Sequence, residues 1–210
     1  WHFAYDILLT ALLITWIYNH TGRSVLAAVL FHFMGNFSGE IVASSEAASR
    51  PPSRLGLRRG DTLTIETAIR ALVIKSANDV AAAVAEHLAG SERDFAVIMT
   101  ERAQALGMSS TTFRNASGLP DAEQITTARD MARLAAALRR DHPERMAYFR
   151  ETSFRWNGVV HRSHNRLVGA VDGVDGMKTG YIRASGFNIA ATAQRDGGQL
   201  VAVVMGGVSA

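Results

Sequence analysis

Gly173-Val174-Asp175-Gly176-Met177-Lys178-Thr179-Gly180-Tyr181 is where this 210-residue chain changes period. Upstream of it apolar residues recur at helical spacing, and from it onward they follow strand patterns. Gly176 to Thr179 reads as a strand, Gly186 to Ala193 as a second and Gln199 to Met205 as a third, the last two joined by the turn Arg195-Asp196-Gly197-Gly198. Three neighbouring strands with short connections predict an antiparallel sheet. Helices followed by such a meander predict an α/β fold in which a helical cluster packs on that sheet.

The helices lie between residues 65 and 150. One starts near Ile65, with Ala68, Ile69, Leu72 and Val73 forming a core-facing stripe. Asp79 to Ala89 reads as a second and Glu92 to Leu106 as a third, stopped at Gly107 by a C-terminal glycine. Thr126 or Thr127 caps a fourth that runs through Arg139, and a short fifth follows Pro143. Before them, Gly60-Asp61 closes a turn and Ser49-Arg50-Pro51-Pro52-Ser53-Arg54 is a polar connector.

The first forty residues read differently. Ile7 to Tyr18 and Val25 to Phe37 are apolar runs separated by Asn19-His20-Thr21-Gly22. Each falls short of the roughly 20 residues that cross a bilayer cleanly. We therefore expect two parts: residues 1–41, a hydrophobic helical hairpin with possible membrane association, and residues 42–210, a soluble domain. The chain starts at Trp1, so its true start is expected to lie upstream.

Composition narrows the function. Net charge is only +3, and of 22 basic side chains just Lys75 and Lys178 are lysines. The arginines are dispersed, with Arg58-Arg59 and Arg139-Arg140 the adjacent pairs, which argues against a nucleic-acid partner. With no cysteine, disulfides and thiolate metal sites are excluded.

Two short motifs carry the chemistry. Ser76-Ala77-Asn78 falls at the junction of two helices, a corner that would push a hydroxyl and an amide into a cleft. Lys178-Thr179-Gly180 lies on the first strand, where the glycine permits close approach of a ligand. Taken alone, Ser76 reads as a helix cap and Lys178 as a solvated edge-strand lysine. Together they offer a proton-handling hydroxyl on one wall and a cation for a carboxylate on the other.

Their surroundings favour the joint reading. Ile74-Lys75-Ser76-Ala77-Asn78-Asp79-Val80-Ala81, Asn115-Ala116-Ser117-Gly118-Leu119, Thr127-Ala128-Arg129-Asp130, His164-Asn165, the Gly173–Tyr181 stretch and Ser185-Gly186-Phe187-Asn188 stand in this order. From about Ser44 to Ser209 the chain resembles the serine-type D-alanyl-D-alanine carboxypeptidases, low-molecular-mass penicillin-binding proteins. The resemblance implies a partial DD-peptidase/β-lactamase-like fold, a peptidoglycan stem peptide ending in D-Ala-D-Ala as substrate, β-lactams as further ligands, an extracytoplasmic location and no cofactor. It also implies roles. Ser76 would relay protons toward the leaving amine, Asn78 would bond the peptide chain, Lys178 with Thr179 would bind the terminal carboxylate, and Gly180 would also belong to the substrate-binding strand. The backbone N–H of Tyr181 would form half of an oxyanion hole.

One element departs from that family. Its acylating serine belongs to an S-x-x-K motif, yet Leu72 and Asp175 stand three residues before the two lysines. An arginine in the lysine's place would stay protonated and could not act as base. The chain by itself is therefore expected to be catalytically inactive and marginally stable, with the helix faces around Leu72 and Val84 partly uncovered.

Residues 1–40, with Thr15-Trp16-Ile17-Tyr18-Asn19 and Phe31-His32-Phe33-Met34-Gly35-Asn36, resemble the last helices of CAAX-protease-like intramembrane metalloproteases. In that family the histidine is a proposed metal ligand. The paired glutamates and the second histidine motif do not appear here, so His32 and Asn36 complete no metal site. Three functional readings stand: a carboxypeptidase-type enzyme domain, a non-catalytic binder of stem peptides, and a fragment of a membrane-embedded metalloprotease.

Overall fold

The structure, a computed structural model, describes residues 40–209. The helical hairpin expected at its N-terminus, with His32 and Asn36, lies outside the described residues. Ile41–Ala210 forms one compact unit. In it Ile41, assigned by the sequence to the hairpin, is fully buried and pairs with Leu63.

A two-residue ladder opens the unit, β1 (Ile41–Val42) against β2 (Thr62–Leu63), and encloses the short helix α1 (Ser45–Ala48). Next comes α2 (Ile65–Arg70), started by Thr64, whose hydroxyl accepts from the Thr67 N–H. It continues as a π-helical turn, Ala71–Lys75, which ends at Ser76. Two longer helices follow, α3 (Asn78–Ala89) and α4 (Glu92–Ala105), the second capped by Ser91. Gly107 takes the left-handed conformation just past the end of α4, as its position predicts. Thr127 caps α5 (Ala128–Asp141), and the 3₁₀ turn Pro143–Arg145 leads into α6 (Met146–Arg150).

The strands exceed the expectation in number and length. β3 (Ser153–Trp156) and β4 (Val159–Arg162) form a hairpin that the strand pattern alone did not predict. Its turn is Asn157-Gly158, both residues with positive φ, the chemistry that a two-residue hairpin requires. The meander is as expected but longer: β5 (Val174–Ile182), β6 (Gly186–Arg195) and β7 (Gly198–Gly207), antiparallel in that order.

Apolar burial is uneven. A broad cluster unites Ile41, Leu55, Leu57, Leu63, Ile74, Val80 and Phe154 with the alanines of α2 and α3. Leu72 and Val84 are partly buried against it. A smaller cluster, Ala135, Met146 and Met177, lies between α5, α6 and β5. Among the described residues no helix is long and apolar enough to cross a membrane.

Candidate active site

Ser76 is placed by the break between two helices. The π-helical turn lets its N–H bond the Ala71 carbonyl, and Ser76 itself adopts the left-handed conformation, φ 56° and ψ 44°. A non-glycine residue there stores about 1–2 kcal/mol of strain, and single π turns gather at functional sites. Its hydroxyl does not cap α3; Ala77 occupies the cap position without a side-chain bond. The reading of Ser76 as a simple helix cap is thus overturned.

Instead, Lys178 Nζ donates to Ser76 Oγ across 102 residues of sequence. Lys178 also donates to the Thr179 carbonyl at 2.7 Å. Although β5 is an edge strand of its sheet, this lysine is not a solvated edge residue: burial lowers its pKa to about 8. An ammonium that releases its proton near neutral pH, bonded to a hydroxyl, is a pair able to pass a proton in either direction.

The other expected residues are disposed around this contact. Asn78 is buried, and its Nδ2 donates to the Pro51 carbonyl at 2.8 Å, so the donor end of the amide is engaged inside the protein. Its N–H meets Ser53 O, while Ser53 Oγ donates to Lys75 O at 2.9 Å, so the Pro51–Ser53 connector lines the corner. Thr179 follows Lys178 along β5. Beside Gly180 a side chain would meet nothing within 4 Å, which leaves the strand open to an approaching ligand. Tyr181 pairs with Phe187 in the ladder and packs its ring on that of Phe187, 4.5 Å between centroids.

Sequence reading missed the groups that hold these walls. Asp79, fully buried, accepts from the N–H groups of Leu55, Gly56 and Leu57 at 2.8–3.1 Å, tying the connector to the start of α3. Asp175, also buried, pairs with Arg139 at 2.6 Å and accepts from Thr192 Oγ1 at 2.8 Å. Burial raises its pKa, but the bonds from Arg139, Thr192 and Arg150 outweigh that and hold it below the usual carboxylate range.

The β3–β4 hairpin adds two histidines. His161 stacks on Phe154, 5.2 Å between centroids, and burial followed by Lys75 lowers its pKa. His164, just past β4, is lowered by burial, then by Lys178 and Lys75. Both shifts favour the neutral imidazole. A sequence signal for this wall existed in Asn157-Gly158 between Phe154-Arg155-Trp156 and Val159-Val160.

A wide surface cleft of about 1090 Å³ lies elsewhere, lined by Ser44, Arg59, Glu86, Arg93 and Arg114 among others. It contains none of the residues just described. Among the described residues no group of three or more His, Asp or Glu is arranged to hold a metal.

Comparison with known proteins gives the family of the chain. The family model of D-alanyl-D-alanine carboxypeptidases, peptidase family S11, matches residues 37–209. The chain belongs to this family. The S11 domain is 37% identical over 165 residues to the D-alanyl-D-alanine carboxypeptidase DacC of Escherichia coli, covering 78% of this chain and 41% of that protein. It superposes on the crystal structure of D-alanyl-D-alanine carboxypeptidase DacD from Francisella tularensis with a TM-score of 0.82 at 27% identity, covering 86% of this chain and 57% of that one. It likewise superposes on penicillin-binding protein D2 of Listeria monocytogenes in its ampicillin-bound form, TM-score 0.73 at 29% identity, over 85% of this chain and 74% of that one. The fold is thus that of the penicillin-binding DD-peptidases, with helices and antiparallel strands. The chain spans about two-fifths of the length of the curated relatives it matches.

Proposed function

We propose that this S11 domain contributes the carboxylate-binding and proton-handling walls of a serine-type D-alanyl-D-alanine carboxypeptidase site, acting on peptidoglycan stem peptides. The observation that carries the reading is the bond from Lys178 on β5 to Ser76 at the helix corner. A peptide ending in D-Ala presents a carboxylate, which Lys178 and Thr179 bind, and a leaving amine, which needs the proton that Ser76 relays. Asn78, whose Nδ2 is held by Pro51 O, meets the peptide chain through its side-chain oxygen, which accepts a peptide N–H, and the Tyr181 N–H takes the scissile carbonyl oxygen. A β-lactam offers the same carboxylate beside a strained amide and binds the same walls. Such a substrate places the domain in the periplasm or cell envelope.

A second reading concerns the 210 residues acting by themselves. They contain no S-x-x-K, which favours peptide binding without acylation. One experiment addresses both. An acetylated tripeptide ending in D-Ala-D-Ala should bind saturably, bind at least about tenfold more weakly when its terminus is amidated, and lose binding in Lys178→Ala. Neither D-Ala release nor a penicillin adduct is expected. Equal binding of the amide sinks the proposed function, and a serine-bound adduct seen by mass spectrometry sinks the inactivity.

A further inference from the structure

Asp175 lies three residues ahead of Lys178 on β5 and touches neither Ser76 nor any group assigned to substrate. It is nonetheless the most heavily bonded side chain of the strand. Oδ1 accepts from Arg139 Nη1 at 2.8 Å and from Thr192 Oγ1 at 2.8 Å. Oδ2 accepts from Arg139 Nη1 at 2.6 Å and from Arg150 Nη2 at 3.4 Å. Arg139 belongs to α5, Arg150 to α6 and Thr192 to β6, so one carboxylate ties β5 to three elements.

The next two residues are pinned as well. A side chain at Gly176 would meet Phe149 Cβ of α6 at 3.0 Å and Thr192 Oγ1 at 3.3 Å. Met177 is buried against Ala135 and Met146. Lys178 follows directly and reaches Ser76 at the corner. The apolar cluster on this side is small, so the polar clamp sets where the strand lies.

We propose that Asp175 is a positioning residue: through Arg139, Arg150 and Thr192 it fixes the start of β5 and thereby the placement of the Lys178 ammonium against Ser76. Its catalytic relevance rests on the proposed role of Lys178, but the placement can be measured by itself.

The chain has only two lysines, so isotope-labelled lysine Cε gives two NMR titrations, with Lys75 as internal reference. Loss of a nearby negative charge alone would lower the Lys178 pKa, whereas a strand that shifts and wets the ammonium would raise it. In Asp175→Asn the Lys178 midpoint should rise from about 8 toward its ordinary 10.5 by about one unit, with Lys75 unmoved. Thr192→Val, which changes no charge, should raise it by about half a unit, and Thr192→Ser should restore it. Tripeptide binding at pH 7 should weaken roughly tenfold in Asp175→Asn. Variants that melt earlier while Lys178 titrates as in the parent overturn the proposal. A midpoint shift in a chain that binds no tripeptide leaves the positioning intact and overturns the proposed function instead.

Discussion

The two walls that meet at Ser76 and Lys178 are held by opposite means. On the helical side Ser76 ends a turn whose neighbours, Ile74 and Ala77, are buried in the broad apolar cluster. Its buried carboxylate, Asp79, is satisfied by neutral backbone donors. On the strand side the cluster is small, and Leu200 and Val204 of β7 stay 66% and 57% exposed. There the buried carboxylate, Asp175, faces a buried arginine. The corner thus combines packing with neutral backbone donors, whereas the start of the strand carries a buried charge pair.

This contrast breaks most sharply at Arg139. Arg139→Ala leaves Asp175 charged and buried without its main partner, and should cost about 4 kcal/mol in urea unfolding. The comparable change on the helical side is milder. Asp79→Asn keeps one carbonyl oxygen for the amides of Leu55, Gly56 and Leu57 and strands no charge, so about 2 kcal/mol is expected. If the two variants lose equal stability, the walls are not held differently.

The same contrast explains what the sequence showed in advance. The helices between Ile65 and Arg150 and the meander from Gly176 announced themselves through period, caps and turn residues, all local signals. Ser76 and Lys178 came from short motifs, and the structure joins them in one hydrogen bond. Asp79 and Asp175 gave no such sign, because the partners named above lie 17–36 residues away. A buried ion pair is a tertiary fact that propensity does not encode. The β3–β4 hairpin was different: Asn157-Gly158, a two-residue turn signal between Phe154-Arg155-Trp156 and Val159-Val160, marked it. The π-helical turn that sets Ser76 in the left-handed region had no counterpart in the pattern Ala71-Leu72-Val73-Ile74-Lys75, which reads as an ordinary helical run.

The smallest expected effect tests the strand wall through pH. Burial lowers the Lys178 pKa to about 8, so the unfolded chain, with an ordinary lysine near 10.5, holds that proton more tightly than the folded one. The resulting penalty on folding is fully present below pH 8 and fades as pH rises toward 10.5. Between pH 7 and pH 9.5 the parent should gain about 1 kcal/mol relative to Lys178→Met, allowing for partial solvent screening. Binding of a D-Ala carboxylate must move the other way, since it requires the protonated ammonium and weakens above pH 8. Opposite slopes for stability and binding, both abolished in Lys178→Met, would show that one buried amine sets them both. Parallel slopes would place the titrating group elsewhere and detach Lys178 from the carboxylate.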